Sequence, residues 1–477
     1  MLNLIAVVLA IVCCFLCQPL LIKVTGAKSL DFISLFLTPE AIGWIGLILV
    51  AGIVFSSLYP VFMLASFKPV EVLKANKSVF KSAGIDIRKL LMIVQFTFGI
   101  GFTVGTYALY QQLQYMKNVD MGMDIKQVLV VEGFGAQPYS SYENFKTKLE
   151  ALPSIKTVGT SSSAPSEEIT NLSLRARIAT NGDTSLIDKG LKLMTVDGDF
   201  FKALDVKFLS GRNFDASIPS DKEAVIVNEA AAKLLGYQDA GDATNDNLTW
   251  ARSIMGDGSQ SRIIGVIRNY HQLSLKNAHE PLAFIPSSSH EWQWNKRYYF
   301  IKFEDYSNRA GFQSMMNSVQ ESWKSAVKDE PFKYFFLDQY FGRQYKSDTT
   351  FNFLLILFSI MGVVIACLGL FGLVAYTTLQ RTMEIGVRKV LGASIRSILV
   401  LLSKGFIKLM VVATAFSVPL IIWGLRHWLN QYAFRIELTW WLFALPVAVI
   451  FAIALLTVML KSVKVAVRSP VESLRYE

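Results

Sequence analysis

Charge is missing from long stretches of this 477-residue chain, and so are the residue groupings from which catalytic centres are built. Only four cysteines occur, Cys13, Cys14, Cys17 and Cys367. All lie in apolar runs, which excludes a disulfide framework in any exterior domain. The four histidines, His271, His279, His290 and His427, show no metal-ligand spacing. No Gly-x-x-x-x-Gly-Lys-Ser/Thr loop is present, since Gly26-Ala27-Lys28-Ser29 lacks the upstream glycine, and the chain is therefore not expected to hold ATP itself. No nucleophile with a base and no acid/base pair stands out, so an enzyme is not indicated. The first 22 residues have neither a basic leading region nor a small-residue cleavage site, and Phe15 and Leu16 before Cys17 do not suit lipid attachment. They read as a retained membrane span.

What is present is apolar. Hydrophobic residues make up 52% of the chain, charged residues 18%, and the mean hydropathy is +0.38, outside the range of an ordinary soluble domain. Six runs are long and apolar enough to cross a bilayer: Leu2 to Ile22, Ile42 to Leu64, Leu90 to Tyr110, Phe353 to Tyr376, Leu399 to Trp423 and Trp440 to Leu460. The fifth carries Lys404 and Lys408, the latter placed to snorkel toward the head groups. Asp, Glu and His are absent from all six, which argues against a proton- or ion-coupled carrier.

Basic residues set the orientation. Lys68, Lys74, Lys77, Lys81, Arg88 and Lys89 lie between spans two and three, and Arg381, Arg388, Lys389, Arg396 and Lys404 between four and five. Lys461, Lys464, Arg468 and Arg475 follow span six, whereas the opposite connections hold only Lys23, Lys28, Arg426 and Arg435. The positive-inside rule then puts both termini in the cytoplasm and the insert from Gln111 to Thr350 outside. That insert is close to neutral, so the net charge of +10 is topological and does not indicate nucleic acid.

Ser66-Phe67-Lys68-Pro69-Val70-Glu71-Val72-Leu73-Lys74 and Val467-Arg468-Ser469-Pro470-Val471-Glu472-Ser473-Leu474-Arg475 align through Pro69 and Pro470. The same offset lays spans one and two over spans five and six, as in a duplication. Four regions follow: 1–76, a hairpin of spans one and two; 77–110, a cytoplasmic linker and span three; 111–350, the exterior domain with stalk-like ends; and 351–477, with spans four to six, a charged helix at 381–393 and a cytoplasmic tail. On this reading roughly 325 residues of a first copy are absent. Gly101 and Gly105 in span three, and Gly362, Gly369 and Gly372 in span four, are candidates for close helix packing.

The exterior domain reads as α+β. Val128 to Val131, Ile155 to Ser161, Ala224 to Val227, Ile263 to Ile267, Tyr298 to Phe303 and Tyr334 to Leu337 have strand character, and Tyr139 to Leu152, Glu229 to Leu235 and Arg309 to Val327 helical character. Asn228 is a helix cap, with Gly236 as its stop. Asp239 to Gln260, rich in Gly, Asp, Asn and Ser, reads as a long loop. Tyr107 to Lys117 and Asp338 to Thr349 continue the flanking spans outward without a breaker.

After span four, Arg381, Glu384 and Arg388 share one helix side, with Glu384 four residues before Arg388 in the favourable ion-pair order. The string Arg381-x-x-Glu384-Ile385-Gly386-Val387-Arg388-Lys389-x-Leu391-Gly392-Ala393 resembles the coupling-helix region of MacB/FtsX-type permeases of ATP-binding-cassette (ABC) transporters, the type VII or mechanotransmission family. Val196-Asp197-x-Asp199-Phe200-Phe201, Gly211-Arg212-x-Phe214, Val227-Asn228-Glu229-Ala230-Ala231 and Ile264-Gly265-Val266 resemble its periplasmic core domain, and the two Pro-Val-Glu strings the ends of its transmembrane units. The resemblance implies an α-helical protein of the bacterial inner membrane with a MacB-like α+β domain between spans three and four. It implies a partner ATP-binding subunit docked on Arg381, Glu384, Ile385, Gly386, Arg388, Lys389, Leu391 and Gly392, with ATP held only there. A homodimer or second permease unit and an extracytoplasmic adaptor or substrate are further implied partners. The implied function is relay of ATP-driven motion to the exterior domain, in efflux, lipoprotein release or antimicrobial-peptide resistance. The alternative is an FtsX-like regulator of an extracytoplasmic partner. Against the family pattern the chain shows one charged helix and one exterior domain, the first part of a two-unit permease being absent from the expected repeat.

Overall fold

The computed structural model describes residues 2–25, 34, 36–65, 87–133, 139–169, 173–177, 189–251, 260–287, 298–304, 309–327, 330–380 and 382–467. Its helices, in chain order, are α1 (Leu2–Thr25), α2 (Pro39–Ala65), α3 (Ile87–Asn118), α4 (Tyr139–Glu150), α5 (Gly198–Ala203), α6 (Glu229–Leu234), α7 (Ala240–Ala243), α8 (Arg309–Ala326), α9 (Leu337–Gln344), α10 (Lys346–Gln380), α11 (Thr382–Val390), α12 (Ile395–Leu429) and α13 (Trp441–Val467). The strands are β1 (Val128–Glu132), β2 (Ile155–Ser161), β3 (Ser173–Arg177), β4 (Lys189–Val196), β5 (Phe208–Gly211), β6 (Val225–Asn228), β7 (Asn247–Ala251), β8 (Gln260–Ile267), β9 (Leu282–Pro286), β10 (Tyr298–Phe303) and β11 (Lys333–Phe336). The chain divides into two compact units, one of Met1–Ala108, Thr349–Ile422 and Thr439–Glu477, the other of Leu109–Asp348 and Trp423–Leu438.

In the first unit, α3, α10, α12 and α13 are long and apolar enough to cross a membrane. The described apolar stretches of α1 and α2, Asn3–Pro19 and Pro39–Val54, are shorter, so four of the six expected spans meet the length criterion among the described residues. Polar side chains bind the helices to one another, as is usual where no water competes. Thr103 Oγ1 and Ser359 Oγ are 2.8 Å apart between α3 and α10, and Ser417 Oγ of α12 donates to Thr97 O at 3.1 Å. The backbones of α3 and α10 approach at Gly99 and Gly362, where an added Cβ on Gly362 would lie 3.8 Å from Gly99 Cα. A Cβ at Gly101 would touch Ile421 at 4.0 Å, and one at Gly369 would lie 2.5 Å from Gln95 Oε1. Among the described residues, one at Gly105 or Gly372 would meet nothing within 4 Å. Four-residue spacing puts two glycines on one face of a helix, but whether a neighbour occupies that face is a tertiary matter. Asn3 Nδ2 of α1 donates to Ser56 Oγ of α2 at 3.0 Å.

The second unit is an α+β domain with one mixed sheet. Strands β4, β3, β7, β8, β6 and β9 pair in succession, and β9 pairs back with β4, closing a ring. The strands β11, β1, β10 and β2 extend from it through the single pair Ser161 and Val196. Fully buried Leu191, Val227, Trp250 and Ile263 belong to the core within the ring strands. Helices α4 and α8 cover one face of the four-stranded part, because Met315, Met316, Val319 and Trp323 form an apolar stripe on α8. Phe145 packs edge-on against Trp323 and Tyr299 at 5.0 and 5.2 Å. Each fully buried aromatic or aliphatic side chain contributes about 1.5–3 kcal/mol.

Structure departs from sequence expectation in this unit. The stretch read as a loop, 239–260, contains α7 and β7, with 252–259 outside the described residues. Asp239 caps α7 and Leu248 and Trp250 alternate inward, a strand pattern diluted by polar neighbours. Strands β3, β4, β5 and β9 and helix α5 were not anticipated. The outward extension expected over Asp338 to Thr349 is broken: α9 ends at Tyr345, whose φ of −95° and ψ of 4° leave the helical region before α10 starts. Its counterpart at Tyr107 to Lys117 is continuous within α3. The repeated Pro-Val-Glu strings at 69–71 and 470–472 lie outside the described residues.

The strings that carry the family resemblance are ties of this fold. Asp197 caps α5, accepting from Phe200 N at 2.9 Å, and also accepts from Thr160 N, Thr160 Oγ1 and Lys146 Nζ. Arg212 forks onto Asp221 at 2.5 and 2.6 Å and holds that carboxyl below the usual range. A Cβ on Gly265 would lie 2.6 Å from Arg212 O, which leaves no room for a side chain. Asn228 is fully buried; its Oδ1 accepts from Ala231 N and Leu282 N, and its Nδ2 donates to Glu280 O. Asn228→Ala removes a cap and leaves buried backbone groups unpaired. The expected cost is about 2–4 kcal/mol, measurable by urea denaturation of the full chain in detergent, followed through tryptophan fluorescence.

Candidate functional site

The charged segment after span four folds as α11, joined to α12 by a sharp turn. Gly392, with φ of +88°, takes the left-handed position past the helix end, and Ala393 N donates back to Arg388 O at 2.9 Å. Ser394 then caps α12, accepting from Ser397 N at 3.3 Å. Among the described residues one apolar side chain anchors the helix: Ile385 is 5% exposed and packs with Ile398, Leu402 and Ala393. The rest of the described surface is open.

That open face is mixed in character. Glu384, Val387, Arg388 and Leu391 recur at i, i+3, i+4 and i+7, so they share one side of the helix. Arg388 Nη2 and Glu384 Oε1 form an ion pair at 2.8 Å, half-exposed at both ends. An exposed i, i+4 pair is worth about 0.3–0.5 kcal/mol, too little to explain the helix by stability. Beside it, Leu391 is 80% exposed and Val390 65% exposed. Of the other expected docking residues, Arg381 lies outside the described residues, as do the surroundings of Gly386 and the side chain of Lys389. Among the described residues no group of three His, Cys, Asp or Glu could hold a metal ion.

The second unit contains a junction that the sequence did not disclose. Gln112, near the end of α3 and fully buried, donates from Nε2 to Phe434 O and accepts Ile436 N–H at Oε1, each at 2.9 Å. The segment after α12 also bonds the loop that follows β8, through Ala433 N to Lys276 O at 3.0 Å and Phe434 N to Leu275 O at 3.2 Å. Lys276 pairs with Asp348 at 2.9 Å, Tyr432 Oη donates to Asp348 Oδ1 at 3.3 Å, and Leu275 N donates to Tyr345 Oη at 3.1 Å. Burial, then the Asp348 carboxylate, pushes the Tyr432 phenol well above its usual range and keeps it a donor. Four segments separated by up to 324 residues thus meet at one place. Sequence periodicity carries no signal for such a meeting.

Two family models match the chain: the MacB-like periplasmic core domain over residues 90–319 and the FtsX-like permease C-terminal domain over residues 356–470. Among solved structures, the chain is similar to the periplasmic region of MacB from Actinobacillus actinomycetemcomitans, at 15% identity over 47% of this chain and 95% of that one, with a TM-score of 0.33. It is also similar to the extracellular domain of the ABC-type transporter YknZ from Gram-positive bacteria, at 14% identity over 44% and 98% of the two chains, with a TM-score of 0.30. No curated protein matches it.

Gln112→Leu keeps the side-chain volume but leaves Phe434 O and Ile436 N–H without their partner. The expected loss is about 1–3 kcal/mol for each group, concentrated at the junction. Limited proteolysis of the full chain in detergent is expected to show faster cutting within Trp423–Leu438, with the sites on the β-ring unchanged.

Proposed function

Because the chain belongs to the MacB/FtsX-type permeases of ABC transporters, we propose that it relays ATP-driven motion of a separate ATP-binding subunit across the membrane to its MacB-like domain. The observation that carries this reading is the face of α11: an ion pair that contributes little to stability, set among exposed Val387, Val390 and Leu391, on a helix whose one buried side chain among the described residues is Ile385. Apolar side chains around a charge pair suit a protein partner, since the apolar surface supplies affinity and the charges supply register.

On this reading the basic flanks place α11 and both termini in the cytoplasm, α1 and α2 complete six spans, and ATP is bound by the partner alone. Glu384, Arg388 and Leu391 make the contact, with Ile385 and Gly392 fixing the helix angle and Arg381, Gly386 and Lys389 completing the surface. Glycines 101, 105, 369 and 372 serve helix packing, within the chain or against a homodimer partner or second permease unit. Helices α3, α10 and α12 each include residues of both units, so the chain offers motion a covalent route. The MacB-like domain then acts on an exterior adaptor or substrate. Efflux, lipoprotein release and peptide resistance all fit such an output, and an FtsX-like regulatory output differs only in what the domain touches.

Co-purification of the tagged chain from membranes, with candidate ATP-binding subunits co-expressed, tests the docking. Glu384→Lys and Arg388→Glu each place like charges together, and each is expected to cut the captured ATPase at least tenfold with insertion unchanged. Capture unaffected by both substitutions would falsify the assignment of α11 as the docking helix.

A further inference from the structure

Two of the four histidines lie at the junction described above, and nothing in the relay uses them. His271 and His279, either side of the Leu275–Lys276 backbone that binds the 432–436 segment, stack on each other with ring centroids 4.3 Å apart. Phe434 closes the group, its ring 4.7 Å from His271 and 5.0 Å from His279, edge-on to both. His271 is only 4% exposed, and its backbone N–H is held by Met121 O at 3.0 Å. The buried Nδ1 of His279 has no hydrogen-bond partner among the described residues, and the nearby Tyr270 backbone favours the charged imidazole less than burial disfavours it. Three rings in mutual contact with an unsatisfied nitrogen make a poor place for positive charge.

We propose that His271, His279 and Phe434 form a proton-sensitive latch, closed when both imidazoles are neutral and opened by protonation, which frees the 432–436 segment from the loop after β8. The charged neighbours do not offset the cost. Asp120 attracts His271 but is itself engaged by Arg268 at 2.8 Å, and Glu229 attracts His279 from the start of α6. Glu280, next in sequence to His279, is paired with Lys192, and across the loop Lys276 is paired with Asp348. The Tyr270 phenol, fully buried, is pushed up by its burial and stays neutral. Burial foremost, then the proximity of His279, lowers His271 to about 4, and burial lowers His279.

The direction in pH follows. A freed histidine titrates near 6.5, whereas the latched His271 resists protonation until about pH 4. Above 6.5 neither form is charged and the latch keeps its full stability. Between 6.5 and 4 the open form takes up protons that the closed form does not, so acidification shifts the balance toward opening, by up to tenfold per pH unit for each histidine involved. The latch concerns the chain itself and does not depend on any ATPase docking at α11.

Hydrogen exchange on the full chain in nanodiscs tests it, read at peptides containing Ala433 and Phe434 and corrected for the intrinsic pH dependence of exchange. Protection is expected to fall at least tenfold between pH 7.5 and 5.0 in the native chain, and to change less than twofold in the double variant His271→Gln, His279→Gln. Constant protection in the native chain, or an equal loss in both proteins, overturns the proposal. Should the double variant be unprotected already at pH 7.5, Phe434→Leu decides: it keeps both imidazoles and weakens their cover, so protection is expected to be lost at a higher pH than in the native chain. An unmoved midpoint in that variant counts against the latch.

Discussion

The side-chain amide of Gln112 is the constraint on which the second unit's architecture turns. It is fully buried and binds both a carbonyl and an N–H of the segment that follows α12. A buried amide with both ends bonded is stabilising by a modest amount, but one left half-bonded is costly, so its partners are held in a narrow range of positions. With Phe434 and Ile436 fixed in this way, Ala433 and Phe434 present their N–H groups to the loop after β8, and Tyr432 reaches Asp348 at the start of α10. The end of α3, the 432–436 segment and the loop after β8 are thereby tied together.

The strings that resemble the periplasmic core domain have a different role from the one that resembles a coupling helix. Asp197, Arg212, Asn228 and Gly265 spend their chemistry inside the fold, as cap, ion-pair fork, buried cap and close backbone approach. Glu384, Arg388 and Leu391 are the opposite case, exposed groups whose mutual interaction is weak.

Much of this was legible in the sequence wherever a local pattern carries it. The boundaries of β2 and β10 and the extension of α3 follow from alternation and from runs without a breaker, and the Asn228 cap from one residue ahead of a helical stretch. Strands β3, β4, β5, β7 and β9 did not show, because polar residues interrupt several of them and what defines them is closure of a ring between segments far apart in the chain. Gly362 was legible as one of the glycines of its span but its neighbour Gly99 was not, since spacing gives a face and not what packs on it. At α11 the ion pair and the Gly392 stop could be read from the string, but the anchoring of Ile385 by Ile398 and Leu402 depends on the turn into α12. The junction at Gln112, His271 and Phe434 was invisible for the same reason.

The proposed relay carries motion begun at an ATP-binding partner to the Gln112 junction. Its most direct measurement is hydrogen exchange of the assembled complex at fixed pH, comparing nucleotide-free protein with a state trapped by ATP and vanadate, and reading the amides of Ala433, Phe434 and Ile436. The relay requires their protection to change severalfold on trapping, while amides inside the β-ring, such as those of β6 and β9, stay constant. A complex that hydrolyses ATP and shows identical exchange at all three amides in both states would contradict it.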